Sequence, residues 1–137
     1  MIINRPTFFG LLFFPFTAFG HHSISATFDS ENIIELEGEI TRVLWRNPHV
    51  RFTISVTDES GQKVLWDVES QSVSTLRRKN VTTVLVAVGD KVRVAGNPSR
   101  RTVNEMHASN ILLPSGQEVV LRGGPGKSDS GISGFEA

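Results

Sequence analysis

The 137 residues carry 14 Lys+Arg against 14 Asp+Glu and no cysteine. The balance excludes an overall basic field that would gather phosphates, and the missing thiols exclude disulfides, sulfur nucleophiles and sulfur-ligated zinc. The length suits one domain with a real core and is too short for two ordinary ones.

Residues 1–20 differ in composition from the rest. Arg5 is their only charge, Thr7-Phe8-Phe9-Gly10-Leu11-Leu12-Phe13-Phe14 is almost wholly apolar, and Ala18-Phe19-Gly20 puts small residues at the two positions a signal peptidase inspects. A signal peptide cleaved after Gly20 is expected, and with it a periplasmic or secreted protein. The alternative is an uncleaved membrane anchor. Pro15 interrupts that helix and the run falls short of the roughly 20 residues a span requires, so no stable span is expected after cleavage. Cleavage also removes Phe8, Phe9, Phe13, Phe14, Phe16 and Phe19, leaving Phe28, Phe52, Phe135, Trp45 and Trp66. A near-neutral chain with few rings lacks the basic, aromatic-lined groove of a single-strand binder.

The mature domain is expected over residues 21–121. Residues Ile24 to Ser30 show no clear period and read as an extended arm. From Ile33, Ile34, Leu36, Gly38 and Ile40 alternate with Glu35, Glu37 and Glu39, which read as solvent-facing. The parity then slips before Val43 and Trp45, which predicts a β-bulge, and Gly38 predicts a sharp bend. Asn47-Pro48 turns the chain. A second strand over 49–57 sets Val50, Phe52, Ile54 and Val56 on one face and His49, Arg51, Thr53, Ser55 and Thr57 on the other. Asp58-Glu59-Ser60-Gly61 is a hairpin loop, and Lys63 to Glu69 makes a third strand through Val64, Trp66 and Val68.

Residues 70–80 open with hydroxyl residues suited to capping and close on Asn80, which predicts a short helix. Val81 to Val88 mixes helical spacing with β-branched residues, and a turn or helix plugging the barrel end is expected. Gly89-Asp90 leads into a fourth strand over 91–96. A fifth runs from about Met106 to Leu113, and Glu118 to Leu121 extends the pairing. Residues 122–137 are a Gly/Ser-rich tail that cannot bury enough surface to order itself. Gly126-Lys127-Ser128 has neither the strand nor the helix of a phosphate loop.

This order predicts an all-β fold, a five-stranded OB-type Greek-key barrel with one short helix between strands three and four; an SH3-like barrel is the rival. Trp45 and Trp66 fall in alternating strands and are expected in the core.

These motifs also carry a resemblance. His21-His22-Ser23, Phe28-Asp29, Leu36-Glu37-Gly38, Val43, Trp45, Asn47-Pro48-His49, Trp66, Leu76-Arg77-Arg78, Gly89-Asp90-Lys91-Val92 and Leu113-Pro114-Ser115-Gly116 make the chain similar to DUF6152, a family of small exported bacterial proteins of unknown function. The resemblance spans about residues 21 to 121. It implies an exported domain and leaves mechanism open.

The sharpest chemical feature is the new N-terminus. A free amine beside the imidazole of His21 can chelate a metal, and His22 and His49 would complete a nitrogen-rich set suited to copper, nickel or zinc if the arm folds back over the Asn47-Pro48 corner. The bland alternatives are exposed histidines on a mobile arm and a His49 that merely braces its turn. His107 has no ligand neighbour in sequence and reads as a surface residue. Arg77-Arg78-Lys79, with Arg100 and Arg101, reads as a solvated basic cluster. No catalytic triad or paired carboxylates stand at recognisable spacing, so a non-enzymatic binding domain is expected. Its partner would be a small ligand, a transition metal or an envelope protein, and an oligosaccharide or nucleic acid ranks below these.

Overall fold

The alternation that begins at Ile34 folds as β1 (Ile34–Leu44), a strand long enough to pair on both edges. The computed structural model describes residues 24–81 and 84–122. The proposed signal peptide with His21 and His22, residues 82 and 83, and the tail beyond Arg122 lie outside the described residues. Strands β2 (Arg51–Thr57), β3 (Lys63–Glu69), β4 (Lys91–Pro98), β5 (Glu105–Leu112) and β6 (Glu118–Val120) follow. They form one sheet in the order β3-β2-β1-β4-β5-β6, and a parallel β3–β5 pairing closes strands one to five into the OB-type barrel. The sixth strand adds to β5 at Asn110 to Leu112. Among the described residues, no helix is long and apolar enough to cross a membrane.

The bulge expected in β1 is present: Ile40 faces Ile54 and Arg42 faces Thr53, so one residue of β1 is unpaired and the inward set shifts parity. A Cβ at Gly38 would lie 2.5 Å from the carbonyl oxygen of Ser55, so this position requires glycine because a neighbouring backbone passes where a side chain would stand. The inward face is apolar: Ile40, Ile54, Val68, Val94 and Met106 are fully buried. Trp45 and Trp66 pack against this core while keeping part of their surface exposed.

Helix α2 (Val73–Arg78) plugs one barrel end with Leu76, which is fully buried. Ser72 caps it by accepting from the Thr75 amide at 3.1 Å. Asn80 takes the left-handed conformation at φ 65°, and the amides of Asn80 and Val81 return to the carbonyls of Arg77 and Leu76, a Schellman ending. The following segment is irregular where described, and it seals the same end by burying Val81 and Val86.

The arm departs from expectation. It opens with a single helical turn, α1 (Ile24–Thr27), in place of extended chain, and the Phe28 amide donates to the Ile24 carbonyl at 2.7 Å. Phe28 then forms an antiparallel bridge with Ser99 and is buried at 3 % exposure. Its burial against the barrel wall supplies what the arm's sequence period does not.

Candidate site at the strand one to strand two corner

Register brings the site together. In the hairpin Arg51 faces Glu69, and across the closing seam Glu69 faces His107, so three polar residues form a row on the outer face of β2, β3 and β5. Directly opposed residues share a face of the sheet. Their inward neighbours Phe52, Val68 and Met106 form the parallel row in the core. His49 lies just before β2. The next residue, Val50, is fixed between Ser70, whose amide donates to the Val50 carbonyl at 2.8 Å, and Gln71, whose carbonyl accepts from Val50 at 3.1 Å.

Glu69 is the hub. Its Oε1 accepts from Nδ1 of His49 at 2.5 Å, and its Oε2 accepts from the Arg51 guanidinium. The same guanidinium stands 3.7 Å from Glu105. The Glu69 side chain is only 11 % exposed, whereas that of His49 is 45 % exposed. A carboxylate has no proton to give, so Nδ1 carries the hydrogen of this bond, and in the neutral ring Nε2 is the nitrogen left with the lone pair. The corner thus presents an imidazole whose tautomer is already set.

Above this network lies an open cleft of about 540 Å³. Ile24, Phe28 and Leu44 give it an apolar side beside Thr27, the Asn47-Pro48 corner with Arg46 and His49 forms the rim, and Arg51, Glu69 and Glu105 complete the lining. The Asn47-Pro48 peptide bond is cis. Of the three metal-ligand candidates, His49 lines the cleft. His21 and His22 lie outside the described residues, but Ile24, two positions after His22, lines the same cleft. Among the described residues no group of three or more His, Asp or Glu side chains is arranged to hold a metal.

His107 corrects a sequence expectation. It is not a surface residue: it is 1 % exposed, covered by Phe28, whose ring meets it edge-on at 5.4 Å. β5 directs it outward, and the arm then closes over it. Burial, reinforced by the nearby Arg122 cation, pushes its pKa down to about 4, so the ring is neutral. Neither ring nitrogen makes a hydrogen bond of normal geometry, although the Ala108 backbone lies close enough to favour protonation weakly.

The basic cluster expected from sequence is divided among separate tasks. Arg100 donates to Asp29 at 2.7 Å, Lys79 donates to the Leu121 carbonyl at 3.1 Å, and Arg78 donates to Thr75 at 3.1 Å. Glu69, Arg51, Glu105 and Phe28 were not singled out from sequence as site residues.

The fold and this corner define a small OB-type β-barrel with a polar cleft between its N-terminal arm and the strand one to strand two turn. The chain belongs to DUF6152, a family of unknown function, whose profile matches residues 11–108. No curated protein matches the sequence. Among solved structures the chain is similar to the mitochondrial single-stranded DNA binding protein Rim1 of S. cerevisiae. One crystal form shows 15 % identity over 61 % of this chain and 93 % of that one, with a TM-score of 0.47. A second shows 14 % identity over 61 % and 92 %, with a TM-score of 0.46.

Proposed function

We propose that this protein is an exported, non-enzymatic binding domain that holds a transition metal, copper-like in its preference for nitrogen, through the processed N-terminus at His21, His22 and Nε2 of His49. The observation that carries the proposal is the 2.5 Å contact from His49 Nδ1 to a nearly buried Glu69. A carboxylate on the distal nitrogen is the usual companion of a metal-binding histidine, because it fixes the ring and raises the basicity of the nitrogen that faces the metal. Arg51 in turn holds the carboxylate. His21 would contribute its amine and imidazole, and Ile24 at the cleft wall begins only three positions later. Nickel or zinc would suit the same donors.

The test is a copper(II) titration of protein whose first residue is His21, against His49→Ala and against a variant with one extra residue before His21. Both changes should weaken binding by at least about tenfold, since each removes part of the donor set. Equal affinity in all three would sink the proposal.

A second reading, an envelope protein-interaction or stress module, is favoured by a different observation. Ile34, Leu36, Val56 and Trp66 remain half-exposed on the inner side of the sheet, away from the helix plug, and such apolar surface suits a protein partner. A nucleic-acid partner fits least, because Glu35, Glu37 and Glu39 stand exposed along β1 and repel phosphates.

A further inference from the structure

The charges that line the cleft do not all satisfy one another. Glu69 is filled, with His49 on one carboxylate oxygen and Arg51 on the other. Glu105 is not. It is pinned at the start of β5, where it faces Asp67 across the closing seam and its carbonyl accepts from the Ser99 amide at 2.8 Å. Its side chain is only 14 % exposed, yet the guanidinium of Arg51 reaches its carboxylate only at 3.7 Å, beyond hydrogen-bond range, and that guanidinium is already held by Glu69. A carboxylate so placed has lost much of its water without gaining a donor. At the rim the opposite charge is open: Arg46 is exposed and makes no hydrogen bond or ion pair with any described residue.

The wall of the same cleft is apolar. Ile24 and Leu44 are half-buried there beside Phe28. Leu44 faces Arg51 across the β1–β2 pairing, so register sets an aliphatic side chain among polar neighbours on the outer face. An open cation, a carboxylate lacking donors and an apolar wall together match a zwitterion with an apolar body. The volume of about 540 Å³ falls in the range of small-ligand sites. A free amino acid carries its ammonium and carboxylate on a single carbon, whereas a short peptide separates them and spans more of such a cleft.

We infer that the cleft binds a short peptide with free termini and apolar side chains, its ammonium donating to Glu105, its carboxylate accepting from Arg46 and its side chains resting on Ile24, Phe28 and Leu44. Burial of those side chains supplies affinity, and the charges at the two ends select unblocked termini. The inference goes beyond metal binding and does not rest on it, since neither Arg46 nor Glu105 is a ligand in that reading.

The experiment titrates leucyl-leucine into the whole protein, freed of metal with a chelator, by isothermal calorimetry, beside N-acetyl-leucyl-leucine and leucyl-leucine amide. The native protein should bind the free dipeptide about tenfold more tightly than either blocked form, each block removing one charge-assisted hydrogen bond. Glu105→Gln should lose only the preference for the free amine, and Arg46→Gln only that for the free carboxylate, each falling to within about threefold. Arg46 is exposed, so its variant keeps the fold and carries the test alone if Glu105→Gln lowers the thermal midpoint. No binding of leucyl-leucine by the native protein, or equal binding of free and blocked forms, would overturn the inference. So would variants that keep both preferences, since other groups would then read the termini.

Discussion

Glu69 and His49 meet at 2.5 Å across the β2–β3 hairpin, and the carboxylate belongs to the least exposed acidic residue among those described, while the imidazole is open to the cleft. A buried acceptor bonded to an exposed donor fixes the ring and leaves its other nitrogen available. Glu69→Ala is therefore expected to weaken copper binding about 10- to 100-fold, and Glu69→Gln, which keeps an acceptor but no charge, to weaken it less. Isothermal titration of the two variants checks the order. Equal loss in both would contradict this order and show that a neutral acceptor at position 69 contributes nothing without the charge.

Copper should also stabilise the fold. A ligand at about 100 times its Kd adds roughly 2.7 kcal/mol if it binds only the folded chain. Thermal unfolding with and without copper should show the gain in native protein and its loss in His49→Ala. An unchanged midpoint at saturation would show that copper does not prefer the folded chain, and a lowered one would place the binding on unfolded chain.

His107 makes stability depend on pH. Its folded value of about 4 lies below the ordinary 6.5, burial being the main cause and Arg122 the next. As pH falls, the unfolded chain therefore takes up a proton first. Stability from this group is full above 6.5, declines between 6.5 and about 4, and is flat below. The whole loss is roughly 3 kcal/mol. His107→Leu removes that slope, and because neither ring nitrogen has a good partner, the substitution should cost nothing at neutral pH and gain about 1 kcal/mol. Urea midpoints from pH 4 to 8 test both statements; an identical slope in the leucine variant would assign the dependence elsewhere.

Gly96 leaves less room for a side chain than any other described glycine. A Cβ there would stand 2.2 Å from the carbonyl oxygen of His107 and 2.8 Å from the methyl of Met106. The methyl can swing aside, but the strand cannot. Gly96→Ala should destabilise by about 3 kcal/mol or more, beyond ordinary overpacking, and denaturant unfolding would show it. A loss below about 1 kcal/mol would mean that β4 and β5 separate more easily than their pairing suggests.

Local patterns were legible in the sequence and non-local ones were not. The β1 bulge followed from the parity slip after Ile40, the helix ending from Asn80, and the barrel from the order of elements, because each depends on neighbouring residues. The Arg51–Glu69 pair could have been found the same way: counting outward from the Asp58–Gly61 loop, with Thr57 facing Lys63, places Arg51 opposite Glu69. His49 and Arg51 were already on one face. Glu69 opposite His107 is different, since it needs the β3–β5 closure between segments far apart in sequence. His107 reads as a surface residue in the sequence for the same reason. Alternation in β5 turns it outward, and only the return of the arm through Phe28 buries it. The helical turn at Ile24–Thr27 left no periodic trace because four residues are too few to show one.

The most direct measurement is the native mass of the full-length gene product recovered from cells, before and after addition of copper(II), since it reads the first residue and the metal content together. A chain beginning at His21 that retains one copper ion, and loses it in His49→Ala, is the expected result. A chain beginning at His21 that retains no copper, or one beginning elsewhere that retains it equally well, would contradict metal binding at the Asn47-Pro48-His49 corner.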